Sequence, residues 1–206
     1  MFEDRFGYDE NIPEEFREIF MWLCQDVASL FRMWDLYNGL FGKKEISVLL
    51  SDYAKSSFVV IEEALRTSMI MAICRFNDPS VQQNHKNLSF KRLVDYCKEV
   101  PEICDLYTEF NQACTPFDVY RNKRFGHRDL ETALDYEGNI LPGINKMHVY
   151  TAFSKAFIIL NAVAYHYSDS EFYFKVSQVG GPESLLFWLK KGIESYKKSR
   201  KISVSD

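Results

Sequence analysis

The chain has 206 residues, a mass of 24.2 kDa and a formal net charge of −4. With 47% hydrophobic and 16% aromatic residues, it can bury a sizeable core. We therefore expect a single domain over residues 1–206, with a C-terminal extension from about residue 168. The five cysteines form no Cys-x-x-Cys pair, which argues against a disulfide framework and against a cysteine zinc site.

The same features bear on location. Residues 1–20 contain seven acids and two bases, so we expect no signal or transit peptide here. The longest apolar run, residues 156–163, is too short to cross a bilayer. Scattered cysteines are typical of reduced thiols. We therefore expect a cytoplasmic protein without a membrane partner.

Two long amphipathic helices are predicted first in chain order. Asn11 and Pro13 signal the start of one, and large apolar side chains follow in steps of three and four residues as far as Phe41. The second is predicted from about Glu45 to Arg75, where Asn-Asp-Pro stops it.

Shorter helices are predicted next. The polar residues 79–88 should form a loop. Asn87 or Ser89 can then cap a short helix that runs through Cys97, and Pro101 can open another that runs to about Gln112.

Thr115-Pro116 is a start signal and predicts a further helix that carries a basic segment. Gly126 predicts that this helix bends or ends there. The last two predicted helices contain Tyr150 to Tyr167, and Pro182 to about Arg200. Because alternating strand patterns are scarce, the sequence predicts an all-α fold, an up-and-down helical bundle with additional short helices.

The basic segment stands out against the acidic background. Residues 119–128 contain no acid and four bases, which are Arg121, Lys123, Arg124 and Arg128. Asn122 follows the first arginine, and His127 comes six residues after it. An arginine can grip a phosphate with two parallel hydrogen bonds, and a histidine can move a proton near neutral pH.

These groups suit RNA cleavage without a metal. The ribose 2′-hydroxyl would attack the neighbouring phosphate, His127 would transfer the proton, and Arg121 would stabilise the growing negative charge. On a straight helix of about 100° per residue, His127 lies about 120° from Arg121. Either the helix breaks near Gly126, or two copies of the chain together line one groove.

A plainer interpretation stays open. Arg121 could pair with Asp118 or with an acid elsewhere, and His127 could be an ordinary residue at a helix end. Arg75 and Asp78 fit an ion pair three residues apart at the end of the second helix.

The other three histidines, His85, His148 and His166, fit surface or packing roles. They have no metal-ligand spacing, so we expect neither a metal nor another cofactor.

The segment from Arg121 to His127 resembles the motif of the HEPN superfamily, which is an arginine, a polar residue, four further residues and a histidine. Further features resemble its AbiU-type abortive-infection branch. These are Trp34-x2-Tyr37-x2-Leu40-Phe41, Arg75-Phe76-Asn77-Asp78-Pro79, Asn87-Leu88-Ser89 and Tyr120-Arg121-Asn122-Lys123 to His127-Arg128-Asp129.

The resemblance implies a HEPN-like four-helix core and a cytoplasmic homodimer with a composite cleft. It also implies metal-independent endoribonuclease activity that leaves 2′,3′-cyclic phosphate ends, in prokaryotic antiviral defence or in a toxin–antitoxin pair with a partner protein. Arg121 and His127 would be the catalytic pair, with Asn122 in support.

The phosphate backbone of RNA would also be attracted by the positive charges of Lys123, Arg124 and Arg128. Some HEPN toxins carry a modifiable tyrosine two residues after the histidine, where this chain has Asp129. The alternative is a non-catalytic HEPN-like dimer that binds RNA, a nucleotide or a protein.

Overall fold

The computed structural model describes residues 7–126, 143–171 and 180–202, and 80% of them are helical. Its elements in chain order are α1 (Glu14–Phe41), α2 (Lys44–Phe76), the strands β1 (Val81–Gln82) and β2 (His85–Lys86), α3 (Phe90–Tyr96), α4 (Pro101–Tyr120), a π-helical segment (Arg121–Gly126), α5 (Lys146–Ser168) and α6 (Pro182–Ile202). The predicted all-α helical bundle is confirmed. One small correction is that the polar stretch predicted to be a loop contains a short hairpin, in which β1 and β2 pair in the antiparallel sense.

The chain divides into two compact units. Unit 1 comprises Met1–Leu30 and Ser68–Tyr173, and unit 2 comprises Phe31–Thr67 and Phe174–Asp206. The first part of α1, the end of α2 and all of α3 to α5 therefore belong to unit 1. The expectation of a single domain stays a prediction.

The core of unit 1 is built from the apolar faces of these helices. Helix α5 contributes eight buried residues, and it packs along α4. Aromatic rings join the other helices: the ring of Phe90 lies 5.6 Å from that of Phe76 and 5.1 Å from that of Phe110, centre to centre. All three rings are fully buried. The predicted stripe of α1 is buried through its first half, at Phe16, Phe20, Leu23, Val27 and Leu30.

Helix α5 also has the length and composition of a membrane span. Core helices of soluble proteins share these properties, and residues of α5 such as Ile159, Leu160 and Val163 are fully buried within unit 1.

Helix α5 is capped by Asn145, whose side chain accepts a hydrogen bond from the backbone N–H of His148 at 3.0 Å. The imidazole of His148 accepts in return from the Asn145 N–H at 3.3 Å, so His148 has a structural role.

Unit 2 has a smaller buried core, which includes Leu40 and Leu50. A side chain at Gly39 would collide with Pro182, so this close approach requires glycine. Helix α2 is interrupted at Ala54, whose φ of −154° and ψ of 43° are not helical. Its predicted stripe is therefore not continuous, and Ile61 is exposed.

Helix α4 differs from its prediction. Thr115-Pro116 does not start a new helix, because α4 continues from Pro101 to Tyr120 with Pro116 inside it. A proline in a helix interior removes one backbone hydrogen bond. The neighbouring Cys114 and Phe117 are fully buried, and their burial in the core keeps both sides of Pro116 helical. The short helix before it is as predicted, with Ser89 as its cap.

Truncation of the central ring of unit 1 should show how much the aromatic cluster stabilises it. We expect Phe90→Ala to lower the free energy of unfolding by about 3–5 kcal/mol, since it opens a cavity between two rings. Tyr165→Ala is the control, because this side chain on α5 is 64% exposed and its loss should cost under about 0.5 kcal/mol. Urea unfolding measures both, and equal losses would contradict the described core.

Candidate functional site

The ends of two helices meet around Arg121 in unit 1. Helix α4 ends at Tyr120, and Arg121 is the first residue of the π-helical segment. Helix α2 ends at Phe76, and Asn77 and Asp78 follow it directly. The two chain segments are 43 residues apart in sequence, and the Arg121 and Asp78 side chains connect them.

The guanidinium of Arg121 has three polar neighbours. Its Nη1 donates to Asp78 Oδ1 at 2.6 Å. Its Nη2 lies 3.7 Å from Asp118 Oδ1, one turn earlier on α4. Its Nε donates to the side-chain oxygen of Asn122 at 3.3 Å. The Arg121 side chain is 28% exposed, so one part of it is reachable from solvent.

A second layer of polar groups lies beside this cluster. Asn77 donates from Nδ2 to Asp118 Oδ2 at 3.1 Å. The side-chain oxygen of Asn77 is buried and has no hydrogen-bond partner among the described residues. Asp118 therefore keeps one hydrogen bond that does not involve Arg121.

The floor of the site is apolar. Cys74 on α2 and Cys114 on α4 are fully buried, as is Phe117. Burial, with the nearby Asp118 charge as the next cause, raises the pKa of Cys74 to about 12. Burial raises the pKa of Cys114 still further. Both thiols are therefore neutral packing groups.

The two acids and the arginine influence one another. Burial raises the pKa of Asp118 above its ordinary value, and it outweighs the hydrogen bond from Asn77 and the positive charge of Arg121. Burial alone would lower the pKa of Arg121, but the hydrogen bond and the charge of Asp78 raise it. Arg121 thus stays charged, as arginine does generally.

The structure describes only part of the predicted site. Asn122 contacts Arg121, and both Asn122 and Lys123 are exposed. The backbone of Arg124 lies in the π-helical segment. His127 and Arg128 lie outside the described residues, so the meeting of Arg121 with His127 stays a prediction.

The change in helix geometry begins earlier than Gly126, where a bend or end was expected. The α-helix gives way to π-helix at Arg121. π-Helical turns are rare and frequently occur at functional sites.

Asp78 was the missed partner of Arg121. The sequence predicted an ion pair between Asp78 and Arg75, but Asp78 pairs with Arg121 instead, and Arg75 is exposed. The contact with Asp118 matches the plainer interpretation of Arg121. Two sequence signals pointed to Asp78: it follows the end of a predicted helix directly, and it lies in the segment Arg75–Pro79 that resembles the AbiU-type branch. Neither signal identifies Arg121 as its partner.

This arrangement fixes one cation beside two carboxylates. Because Asp78 and Asp118 neutralise its charge, Arg121 does not attract an anion as an unpaired arginine would. Its guanidinium is held in a defined orientation by the short hydrogen bond to Asp78, and its Nε–Nη2 edge has only the longer contacts with Asn122 and Asp118. A positioned, partly exposed arginine of this kind can receive a phosphate if the phosphate replaces those longer contacts.

Comparison with known proteins identified one family. The HEPN AbiU2 family model, described as AbiU2, matches residues 13–177, a range that contains the whole described cluster. Comparisons with curated proteins and with solved structures gave no significant match.

Thiol labelling should distinguish the buried floor from the surface. A pKa of about 12 for Cys74 reduces its thiolate fraction at pH 8 about a thousandfold relative to an ordinary thiol. We expect iodoacetamide to label the partly exposed Cys104 first, and Cys74 and Cys114 only after unfolding. Peptide mass spectrometry measures this order, and Cys104→Ser should remove the fast phase. Rapid labelling of Cys74 in the folded protein would contradict the described packing.

Proposed function

The chain belongs to the HEPN AbiU2 family, whose members are HEPN proteins related to abortive infection, and we propose that it is a metal-independent endoribonuclease. It would act in prokaryotic defence or in a toxin–antitoxin pair, in the cytoplasm, as a homodimer with RNA as substrate. An antitoxin or another defence protein would be its partner.

One observation carries the proposal. Arg121, the first residue of the Arg-Asn-x4-His motif, is held by Asp78 at 2.6 Å while part of its side chain is open to solvent. Catalysis of phosphate chemistry depends on cations that are positioned before the charge develops. The Arg121 guanidinium meets this requirement, because its Nη1 is fixed by Asp78 and another part of the side chain is accessible to solvent.

The proposed reaction uses the chain's own groups. The ribose 2′-oxygen attacks the adjacent phosphorus, the bond to the 5′-oxygen breaks, and a 2′,3′-cyclic phosphate remains. His127 takes the proton from the 2′-hydroxyl or gives one to the leaving oxygen. Arg121 stabilises the charge on the phosphate oxygens, and Asn122 orients the phosphate or the imidazole.

The surrounding bases would hold the RNA backbone. Lys123 is exposed beside the site, and we assign the same role to Arg124 and Arg128. Because only RNA carries the attacking 2′-hydroxyl, DNA should not be cleaved. A groove lined by two copies of the chain would bring His127 to Arg121 if one subunit alone does not.

One observation favours a second candidate function. Arg121 is paired with two acids of its own chain, as in an arginine whose role is structural. This pairing is compatible with a non-catalytic HEPN-like dimer that binds RNA, a nucleotide or a protein. The two candidates differ in whether bound RNA is cut.

Cleavage in the presence of chelator tests the proposal. We expect purified protein with EDTA to cut single-stranded RNA and to leave 2′,3′-cyclic phosphate ends, which mass spectrometry identifies. Arg121→Ala and His127→Ala should each reduce the rate by at least about 10²-fold, the usual scale for loss of a catalytic acid–base group or of a charge-stabilising donor.

Matched controls come from the same chain. Arg32→Ala and His85→Ala remove an exposed arginine and an exposed histidine that we assign no role, and both variants should cleave normally. Circular dichroism establishes that all four variants are folded. Equal cleavage by all of them would refute the assigned pair, and tight RNA binding without any cleavage would favour the second candidate.

A further inference from the structure

We infer that the two carboxylates beside Arg121 have opposite roles toward the RNA phosphate. Asp78 is a positioning residue that holds the guanidinium, whereas Asp118 is a competitor that the phosphate displaces. The inference rests on the proposed function, because it assigns Arg121 to the substrate phosphate. It adds two residues that the Arg-Asn-x4-His motif does not contain.

The first argument is the strength of the Asp78 contact. At 2.6 Å, the bond from Arg121 Nη1 to Asp78 Oδ1 is a short, charge-assisted hydrogen bond. Asp78 is 22% exposed, and its backbone N–H bonds to the carbonyl of Arg75 at 3.2 Å. The backbone that carries the Asp78 side chain is thus anchored at the end of α2.

The second argument is the weakness of the Asp118 contact. The distance of 3.7 Å from Arg121 Nη2 to Asp118 Oδ1 exceeds the range of a hydrogen bond. Asp118 also accepts from Asn77 Nδ2 at 3.1 Å, so it would keep a partner after losing Arg121. Replacing this contact therefore leaves no unpaired carboxylate.

The third argument is the geometry of the guanidinium. Its Nε–H and Nη2–H point in parallel along one edge, which is the edge that binds a phosphate with two hydrogen bonds. Asp78 occupies Nη1 and leaves that edge to Asn122 at 3.3 Å and to Asp118 at 3.7 Å. Asn122 is exposed and can turn away.

Charge gives the two acids their different effects. A phosphate on the Nε–Nη2 edge would lie next to the Asp118 carboxylate, and like charges at such a distance repel each other. Asp78 lies on the other terminal nitrogen, where its main effect is to fix the angle of the guanidinium. The Nε–Nη2 edge is therefore available to a phosphate because Asp78 binds the other terminal nitrogen, Nη1, and leaves this edge without a short contact.

Neutral substitutions separate the two roles. Asp118→Asn removes the competing charge and can still accept from Asn77, so we expect RNA binding about fivefold tighter, a lower KM and little change in kcat. Asp78→Asn loosens Arg121, and we expect kcat to fall about 10- to 100-fold with a smaller effect on KM. Asp78→Glu restores a carboxylate and should recover part of the lost kcat.

The binding measurement uses a fluorescein-labelled RNA oligonucleotide and fluorescence anisotropy, in a His127→Ala background so that the probe is not cut. Kinetic constants come from the same substitutions with His127 intact. Thermal unfolding compares the folding of all variants. A purely structural role for both acids predicts parallel losses of stability and activity, and such parallel losses would overturn the inference.

The result can be separated from the fate of the proposed function. If the wild type cleaves RNA but Asp118→Asn binds it no more tightly, the inference is wrong and the nuclease proposal stands. If the wild type neither binds nor cuts RNA, the nuclease proposal is wrong.

In that case, titration with inorganic phosphate decides the inference. The Arg121 Nε–H signal is followed by NMR and assigned by its loss in Arg121→Lys. A larger phosphate response in Asp118→Asn supports the opposite roles of the two acids toward a phosphate other than RNA, and an equal or absent response overturns the inference altogether.

Discussion

The ion pair between Arg121 and Asp78 is the interaction on which the candidate site depends. It joins the end of α4 to the segment after α2, and it fixes a guanidinium that would otherwise have several rotamers available. Cys74 near the end of α2 and Cys114 and Phe117 on α4 are fully buried, and a second contact, from Asn77 to Asp118, joins the same two chain segments. A partly desolvated charge needs a partner, and Asp78 supplies it at 2.6 Å.

The change from α-helix to π-helix occurs at Arg121 itself. Helix α4 runs through Pro116, whose neighbours Cys114 and Phe117 are buried, and it ends at Tyr120, where the π-helical segment begins. The motif thus begins at a change of helix type, beside the residues that hold its arginine. The backbone of residues 121–126 is consequently wound with i→i+5 hydrogen bonds and not with the i→i+4 bonds of an α-helix.

The charges around Arg121 bear on how the chain would attract RNA. A guanidinium between two carboxylates has little net attraction for an anion at long range, so the exposed Lys123 and its basic neighbours would provide the attraction of RNA. In the roles that we infer for the two acids, the short contact with Asp78 would preserve the orientation of the guanidinium, and the long contact with Asp118 would be exchanged for a phosphate. Family membership places the chain among HEPN proteins related to abortive infection, and the geometry of Arg121 is what supports a catalytic role.

The sequence by itself determined the all-α fold, most helix limits and the candidate motif, because helical periodicity, caps such as Ser89 and short motifs are local properties of the chain. It gave the wrong limits for α4, since burial of Cys114 and Phe117 overrides the local effect of Pro116. Only the tertiary structure decided which acid pairs with Arg121. Asp78 lies 43 residues away in sequence, after the end of a different helix, and a spacing rule within one helix cannot predict a contact between residues of separate elements.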